Sequence, residues 1–262
     1  MNFSFVKTIL YASFFLLSLS SCKKFQYLSV VGNAYNEQSM ENRIETDTLV
    51  IKYAFKGDGC PVEITVFNKS NQPLYVDWSK SSVIMAGQRF SYWTDASAIS
   101  TNTESSEIRW TKNYSTTSSS TKGIIVKNER VSFIPPNAGI VYNPISLKNS
   151  WIEMDETTGQ KINVPCDVES MKGTFYRFSE DNTPFGFRSF LTISTNEQFT
   201  NPRFFDSNFW VNEVVETQAS PENLLNTFPN QFYNSKATGF GAFMGGVAVA
   251  IGVVLIVATA GE

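Results

Sequence analysis

Apolar and polar side chains alternate with a period of two through the middle of the chain. Leu49, Ile51, Tyr53 and Phe55 alternate with Val50, Lys52 and Ala54, and Val62, Ile64 and Val66 alternate with Glu63, Thr65 and Phe67. That period sends successive side chains to opposite faces of a strand. The run Asn68-Lys69-Ser70-Asn71-Gln72-Pro73 is turn chemistry, and Leu74, Val76 and Trp78 resume the alternation after it. Together these runs predict a hairpin with a longer loop. Further strands are predicted at Gln88–Trp93, Gly123–Lys127, Arg130–Ile134, Gly139–Ile145, Phe175–Phe178, Phe187–Ser194 and Phe209–Glu216.

About ten short strands with turns every 8–12 residues predict an all-β fold, an antiparallel immunoglobulin-like β-sandwich, over residues 47–216. Pro135-Pro136-Asn137 separates two of the runs, as a connection between strands would. The 22 Phe and 10 Tyr suit half-buried pleated surfaces. Residues 100–122 are dominated by Ser and Thr, the composition of a low-complexity insertion or a frayed hairpin tip. Trp110 and Tyr114 within it are either contact residues or rings that tack the loop onto the sheet. A short helix is predicted around Pro221–Asn226, where the proline takes a permitted first-turn position. Residues 217–236 read as a linker.

Both ends of the chain are greasy. Lys7 supplies one positive charge, Thr8 to Leu19 is apolar, and small residues lead to Cys22. This is the three-part layout of a secretory signal peptide, residues 1–21, and its centre is too short to span a bilayer. Residues 22–46 are polar and mixed, as a tether would be. At the other end residues 237–261 form a hydrophobic segment, with Phe240 to Ala260 free of charge. As a helix that run is about 31 Å long, the thickness of a hydrocarbon core. Gly241 and Gly245 make a GxxxG step, while Ala242, Gly246 and Ala250 repeat a small residue every fourth position, a face on which two membrane helices pack. The alternative is a glycine-rich element buried in a soluble domain. Lys236 precedes the segment and only Gly261-Glu262 follows it, a charge order that runs against the positive-inside tendency for an exported domain.

Leu19-Ser20-Ser21-Cys22 resembles the lipobox of bacterial lipoprotein precursors. The resemblance implies cleavage before Cys22 and acylation of its thiol, with membrane lipid as the partner of the new N-terminus. A single acyl chain gives marginal anchoring, so more than one anchoring element is implied. Lys23-Lys24 departs from the acidic tract of surface-exported lipoproteins, and no aspartate follows Cys22 as an inner-membrane retention mark. A periplasm-facing, lipid-anchored envelope location is the expectation. Lipobox, β-rich domain with an Asn-x-Ser-x-x-Pro turn, and greasy tail together resemble envelope lipoproteins of the Bacteroidetes type. That resemblance implies a location and a fold, and no chemistry.

Composition narrows the chemistry further. The 262 residues carry no histidine, which excludes Ser-His-Asp and Cys-His catalysis, zincin motifs and Cys/His zinc fingers. A net charge of −3 argues against nucleic acid as a partner. No phosphate loop, dinucleotide fingerprint or nucleophile elbow occurs. Ser119 and Lys122 have a Ser-Lys spacing, but within the Ser/Thr-rich stretch. Lys56-Gly57-Asp58-Gly59 reads as a turn rather than a calcium loop. Acidic clusters stand at Asp155-Glu156, Asp167 with Glu169, and Glu180-Asp181. With Cys22 acylated, Cys60 and Cys166 remain, and an exporting compartment permits a disulfide between them; two free thiols are the alternative. No cofactor or metal is expected. The expected function is a non-catalytic binding or structural module of the envelope, with a homo-oligomer or another envelope protein as partner. The alternative is a carboxylate-dependent hydrolase of envelope glycans, which needs two acids about 5 to 10 Å apart.

Overall fold

The computed structural model describes residues 23–93, 97–111, 114–127, 129–148, 150–225 and 227–237, with backbone alone at 97–111 and 114–127. The first half of the chain forms β1 (Lys23–Gly32), β2 (Tyr35–Asn36), β3 (Glu41–Glu45), β4 (Leu49–Ala54), β5 (Gly57–Asp58), β6 (Glu63–Asn68), β7 (Leu74–Asp77), β8 (Ser82–Met85) and β9 (Gln88–Ser91). The second half forms β10 (Ser97–Thr111), β11 (Tyr114–Lys127), β12 (Val131–Ile134), β13 (Gly139–Tyr142), β14 (Gln160–Val164), β15 (Met171–Arg177), β16 (Gly186–Ser194), β17 (Arg203–Thr217) and β18 (Gln231–Ala237). The all-β expectation holds for the described residues.

Two sheets share one core. The larger runs β12-β7-β16-β17-β1-β18-β5, and the smaller runs β13-β6-β4-β3-β2. β17 is long enough to carry two neighbours on one edge, β16 along its first half and β15 along its last residues, with β14 beyond β15. Among the described strands every pairing is antiparallel except β18 with β5. Strands β10 and β11 form a separate two-stranded sheet over the Ser/Thr-rich stretch, which agrees with a hairpin there. The predicted strands at Leu49, Val62, Leu74, Gln88, Arg130, Gly139, Phe175, Phe187 and Phe209 all fall on or overlap observed ones.

The connection after Asn68 is different from the expected hairpin. β6 pairs with β4 and β13 in the small sheet, whereas β7 pairs with β12 and β16 in the large one. Asn68 makes the crossing. Its buried amide nitrogen donates to the carbonyls of Gln72 (2.7 Å), Ile134 (3.2 Å) and Pro135 (3.1 Å), and its Oδ1 accepts from the Ser70 amide and hydroxyl. One buried side chain thus ties the carbonyls of two separate connections, Gln72 on one and Ile134 and Pro135 on the other, to the crossing.

Residues 22–46 are corrected from a tether: β1 lies inside the large sheet between β17 and β18, and β3 pairs β4. Leu28 and Val30 on one face of β1, and Tyr27 and Val31 on the other, are all buried, so the strand is covered on both sides. The linker 217–236 is corrected likewise, because β18 pairs with β1 along seven residues and buries Phe232 and Asn234. The folded body therefore extends from Lys23 to Ala237 rather than over residues 47–216. Instead of a helix at Pro221–Asn226 there is a single 3₁₀ turn, Pro221–Asn223. The hydrophobic run 238–262 and the signal residues lie outside the described residues, and no helix among the described residues is long and apolar enough to cross a membrane.

The sheets meet through rings and hydroxyls. Phe209 of β17 contacts Tyr53 of β4 at 4.8 Å, Phe55 at 5.3 Å and Phe187 of β16 at 5.1 Å between centroids. Beside them, the Tyr92 hydroxyl donates to Ser189 Oγ (2.8 Å), which donates to the Tyr53 hydroxyl (3.1 Å). Trp78 stacks on Tyr142 at 4.0 Å and donates its indole N–H to Ser132 Oγ. Burial pushes the Tyr53 phenol up to about 12 and raises that of Tyr92 as well.

Two outcomes follow. Asn68→Ala is expected to cost about 2–4 kcal/mol by breaking this buried hydrogen-bond network. Asn68→Asp, though isosteric, should be no better, since it turns a carboxylate toward the network's carbonyl oxygens; denaturant unfolding of the full chain in detergent measures both. Because the unfolded chain loses its tyrosine protons near pH 10 while Tyr53 and Tyr92 keep theirs, the contribution of these two tyrosines to stability should be flat with pH below about pH 9. Above pH 10 it should fall by about 1.4 kcal/mol per pH unit per buried tyrosine, and Tyr53→Phe should reduce that slope.

Candidate functional site

The large sheet has one end at which β1 starts, β17 finishes and β18 finishes. There Phe25 is in register with Thr217, and Lys23 with Ala237. Strand alternation sends Lys23, Phe25 and Tyr27 to the face turned from the core, and Lys24, Gln26 and Leu28 to the core side. A cleft opens on each face.

The cleft on the outer face has a volume of 600 Å³ and is lined by Lys23, Phe25, Asp58, Glu222 and Tyr233 among others. Phe25 and Tyr233, with ring centroids 6.3 Å apart, form its aromatic wall, and the buried Tyr27 ring packs against both at 6.3 and 6.1 Å. Tyr27 is fixed by donating its hydroxyl to the Ala219 carbonyl at 2.7 Å. Burial, reinforced by neighbouring Tyr233, raises its phenol well above the ordinary value. Asp58 arrives from β5, held against β18 by the parallel pairing of Phe232 with Gly57 and Tyr233 with Asp58.

The cleft on the core side measures 680 Å³ and is lined by Lys24, Glu156, Lys161, Lys172, Tyr176 and Glu216 among others. Beside it, a segment that ends at Glu156 is strapped to the sheet by two side chains, Gln26 and Asn234. Gln26 is fully buried, and its amide donates to the Ile152 carbonyl (2.7 Å) and accepts from the Ile152 amide (3.0 Å), as a strand neighbour would. The same nitrogen donates to Glu216 Oε1 at 2.9 Å. Asn234, in register with Gln26, donates to the Ser150 carbonyl. The strap continues into the 3₁₀ turn Glu156–Thr158, capped by Asp155, whose carboxyl is held below the usual range by the Thr157 hydroxyl and amide.

The residues singled out from the sequence are placed as follows. Cys22 lies outside the described residues, immediately before exposed Lys23. Gly241, Gly245, Gly246 and Ala250 also lie outside them. Cys60 and Cys166 are free thiols, the alternative left open beside a disulfide. Cys60 belongs to the core cluster and is fully buried, while Cys166 is half-buried at a β-bridge to Leu224, with its thiol donating to the Val164 carbonyl. Of the acidic clusters, Asp155 caps a turn, Glu180 and Asp181 sit in another 3₁₀ turn, Asp167 stands where its backbone bonds Asn223, and Glu156 reaches a cleft. Gly57 and Gly59 adopt φ of 142° and 71°, the turn geometry expected before β6. Among the described residues no group of three or more Cys, Asp or Glu is placed to hold a metal ion. Ser119 and Lys122 lie on β11, where only backbone is described.

The cleft residues that sequence reading missed, Lys24, Lys161, Lys172 and Tyr176, come from three strands and have no shared motif. The arrangement is one of binding surfaces: ammonium groups, carboxylates and aromatic walls at the end from which the chain leads back to Cys22. No family model matches the chain, and none of the curated proteins and none of the solved structures is similar to it.

Burial pushes the Cys60 thiol up and away from the reactive thiolate. Alkylation of the folded chain should therefore label Cys166 and spare Cys60 until denaturant is added. Reductant should make no difference; protection of both residues that reductant alone removes would restore the disulfide.

Proposed function

We propose that the chain is a membrane-anchored cell-envelope lipoprotein, a non-catalytic immunoglobulin-like β-sandwich module that binds or braces a partner. The observation that carries this reading is the register of its ends. Lys23 and Ala237 are paired residues on neighbouring strands, so the first and last described residues of the body stand side by side, one residue after Cys22 and three before Phe240 in the sequence. Acylation of Cys22 and insertion of a C-terminal helix then act on the same end, and the rest of the body projects away from the bilayer. Each buried methylene of an acyl chain contributes about 0.8 kcal/mol, and two attachments make anchoring stable where one does not. In the tail, Gly241, Gly245, Gly246 and Ala250 supply a close-packing face for a second helix. The module faces the periplasm.

A second reading, a carboxylate-dependent hydrolase of envelope glycans, is favoured by the outer cleft, where Asp58 and Glu222 line a pocket walled by Phe25 and Tyr233. Asp58→Asn and Glu222→Gln test it: if either abolishes release of glycan fragments by the wild-type chain, the enzyme reading replaces the module.

For the anchor, Cys22→Ala should leave an uncleaved precursor that takes up no labelled fatty acid, and label on the variant would refute the reading. In the same background the protein should stay with membranes after a carbonate wash and become soluble once residues 240–262 are deleted. A Cys22→Ala protein already soluble with its tail intact removes the tail from the membrane.

A further inference from the structure

The core-facing side of the large sheet changes character toward its open end. Leu28, Val214 and Tyr176 form one row of the core, in register across β1, β17 and β15. Next come Gln26, Glu216 and Thr174, again in register, and beyond them Lys24 and Lys172. The apolar face thus passes into a cationic one. The cleft of 680 Å³ occupies that step.

Two features of the cleft lack a protein counterpart. Tyr176 is 3% exposed, yet its hydroxyl has no hydrogen-bond partner among the described residues. A buried phenol without a partner costs free energy that an acceptor in the cleft recovers. Burial, with Glu216 and Glu156 nearby, raises its pKa, so the hydroxyl keeps its proton and is a donor. Second, Lys24 stands directly opposite Lys236 in the antiparallel register, a like-charge pair that weakens the ladder. Lys236 is compensated by Glu153 at 3.2 Å and by the Trp151 ring at 4.4 Å. Among the described residues Lys24 and Lys172 have no such partner, and Lys161 uses one donor on Thr174 Oγ1 and keeps two.

The charge of the cleft sets the class of ligand. Three lysines face two carboxylates, Glu156 and Glu216, and one oxygen of Glu216 already accepts from Gln26. The balance is one positive charge with donors in excess. A singly charged group with several acceptor oxygens fits that balance, and a phosphodiester is such a group. We propose that this cleft is a phosphodiester-binding site, in which Lys24, Lys161 and Lys172 neutralise the phosphate and the Tyr176 hydroxyl donates to one of its oxygens. The phosphate is supplied either by a lipid headgroup or by a soluble diester. Lys24 is two residues from Cys22, about 7 Å of extended chain. On the reading that Cys22 is acylated, the cleft therefore opens at the level of the headgroups.

The test uses the full chain in a neutral maltoside detergent, titrated with dimethyl phosphate and, separately, with short-chain phosphatidylglycerol, and followed by phosphorus NMR. Saturable binding is expected in the wild type. Lys161→Gln with Lys172→Gln should weaken it by at least about tenfold, and Tyr176→Phe by about three- to tenfold. Tyr176→Phe removes a hydroxyl with no partner, so its melting temperature should not fall, which separates lost binding from lost folding. Lys148→Gln, at a lysine lying over the Phe185 ring, should change nothing. Binding of both probes assigns a small phosphate site, and binding of the lipid alone assigns a headgroup site. Binding of neither, or binding unchanged in the Lys161/Lys172 and Tyr176 variants, overturns the proposal. Failure of fatty-acid labelling at Cys22 would overturn the anchor and leave dimethyl phosphate binding intact, so the two readings fail separately.

Discussion

The packing of Phe209 against Tyr53, Phe55 and Phe187 is the contact on which the rest of the molecule depends. Phe209 and Phe187 come from the large sheet, and Tyr53 and Phe55 come from the small sheet and the residue that follows it. Edge-on ring contacts fix relative orientation as well as burying area. The hydroxyl relay Tyr92–Ser189–Tyr53 adds direction to the same joint. β17 carries this joint at Phe209 and reaches the core-side cleft at Glu216 and Thr217, about 26 Å further along. One strand therefore sets where that cleft lies relative to the core.

Buried side-chain amides are the second theme. Gln26 imitates a strand for Ile152, Asn68 closes the crossing between sheets, and Asn42 and Asn230 both donate to the Val30 carbonyl where the β1–β17 register slips between Ser29 and Val30. In each case the amide serves backbone that leaves its ladder. Replacing such a group leaves a buried carbonyl or amide unpaired, which costs more than the bond itself contributes.

The strands of half-buried surfaces were legible because only one of their faces is apolar. β6 shows the alternation that its burial repeats, as does β4 from Ile51 to Ala54. β1 was not legible for the opposite reason. In Lys23-Lys24-Phe25-Gln26-Tyr27-Leu28 the polar Gln26 is fully buried and the two lysines announce a solvent-exposed stretch, so the sequence imitates a tether. β18 hides in the same way, with Asn234 buried against the Ser150 carbonyl. The cysteines flanked by prolines suggested strand edges to be stapled, whereas Cys60 sits at a positive φ of 57° within the core, where its side chain replaces a small hydrophobe. The clefts assemble residues separated by more than a hundred positions, and pairing, not spacing, brings Lys24, Lys161 and Lys172 to one rim.

The pairing of Lys23 with Ala237 also decides how the body responds to load. β1 and β18 run antiparallel and end together, so tension between those two residues opens their ladder one residue pair at a time, the weakest way to stress a sheet. Tension between Lys23 and a site on the far rim, such as Arg203 at the start of β17, instead shears the long β1–β17 pairing with all its bonds sharing the force. The molecule is compliant when its two ends are pulled apart from each other and stiff when something held at its distant rim pulls against its first strand.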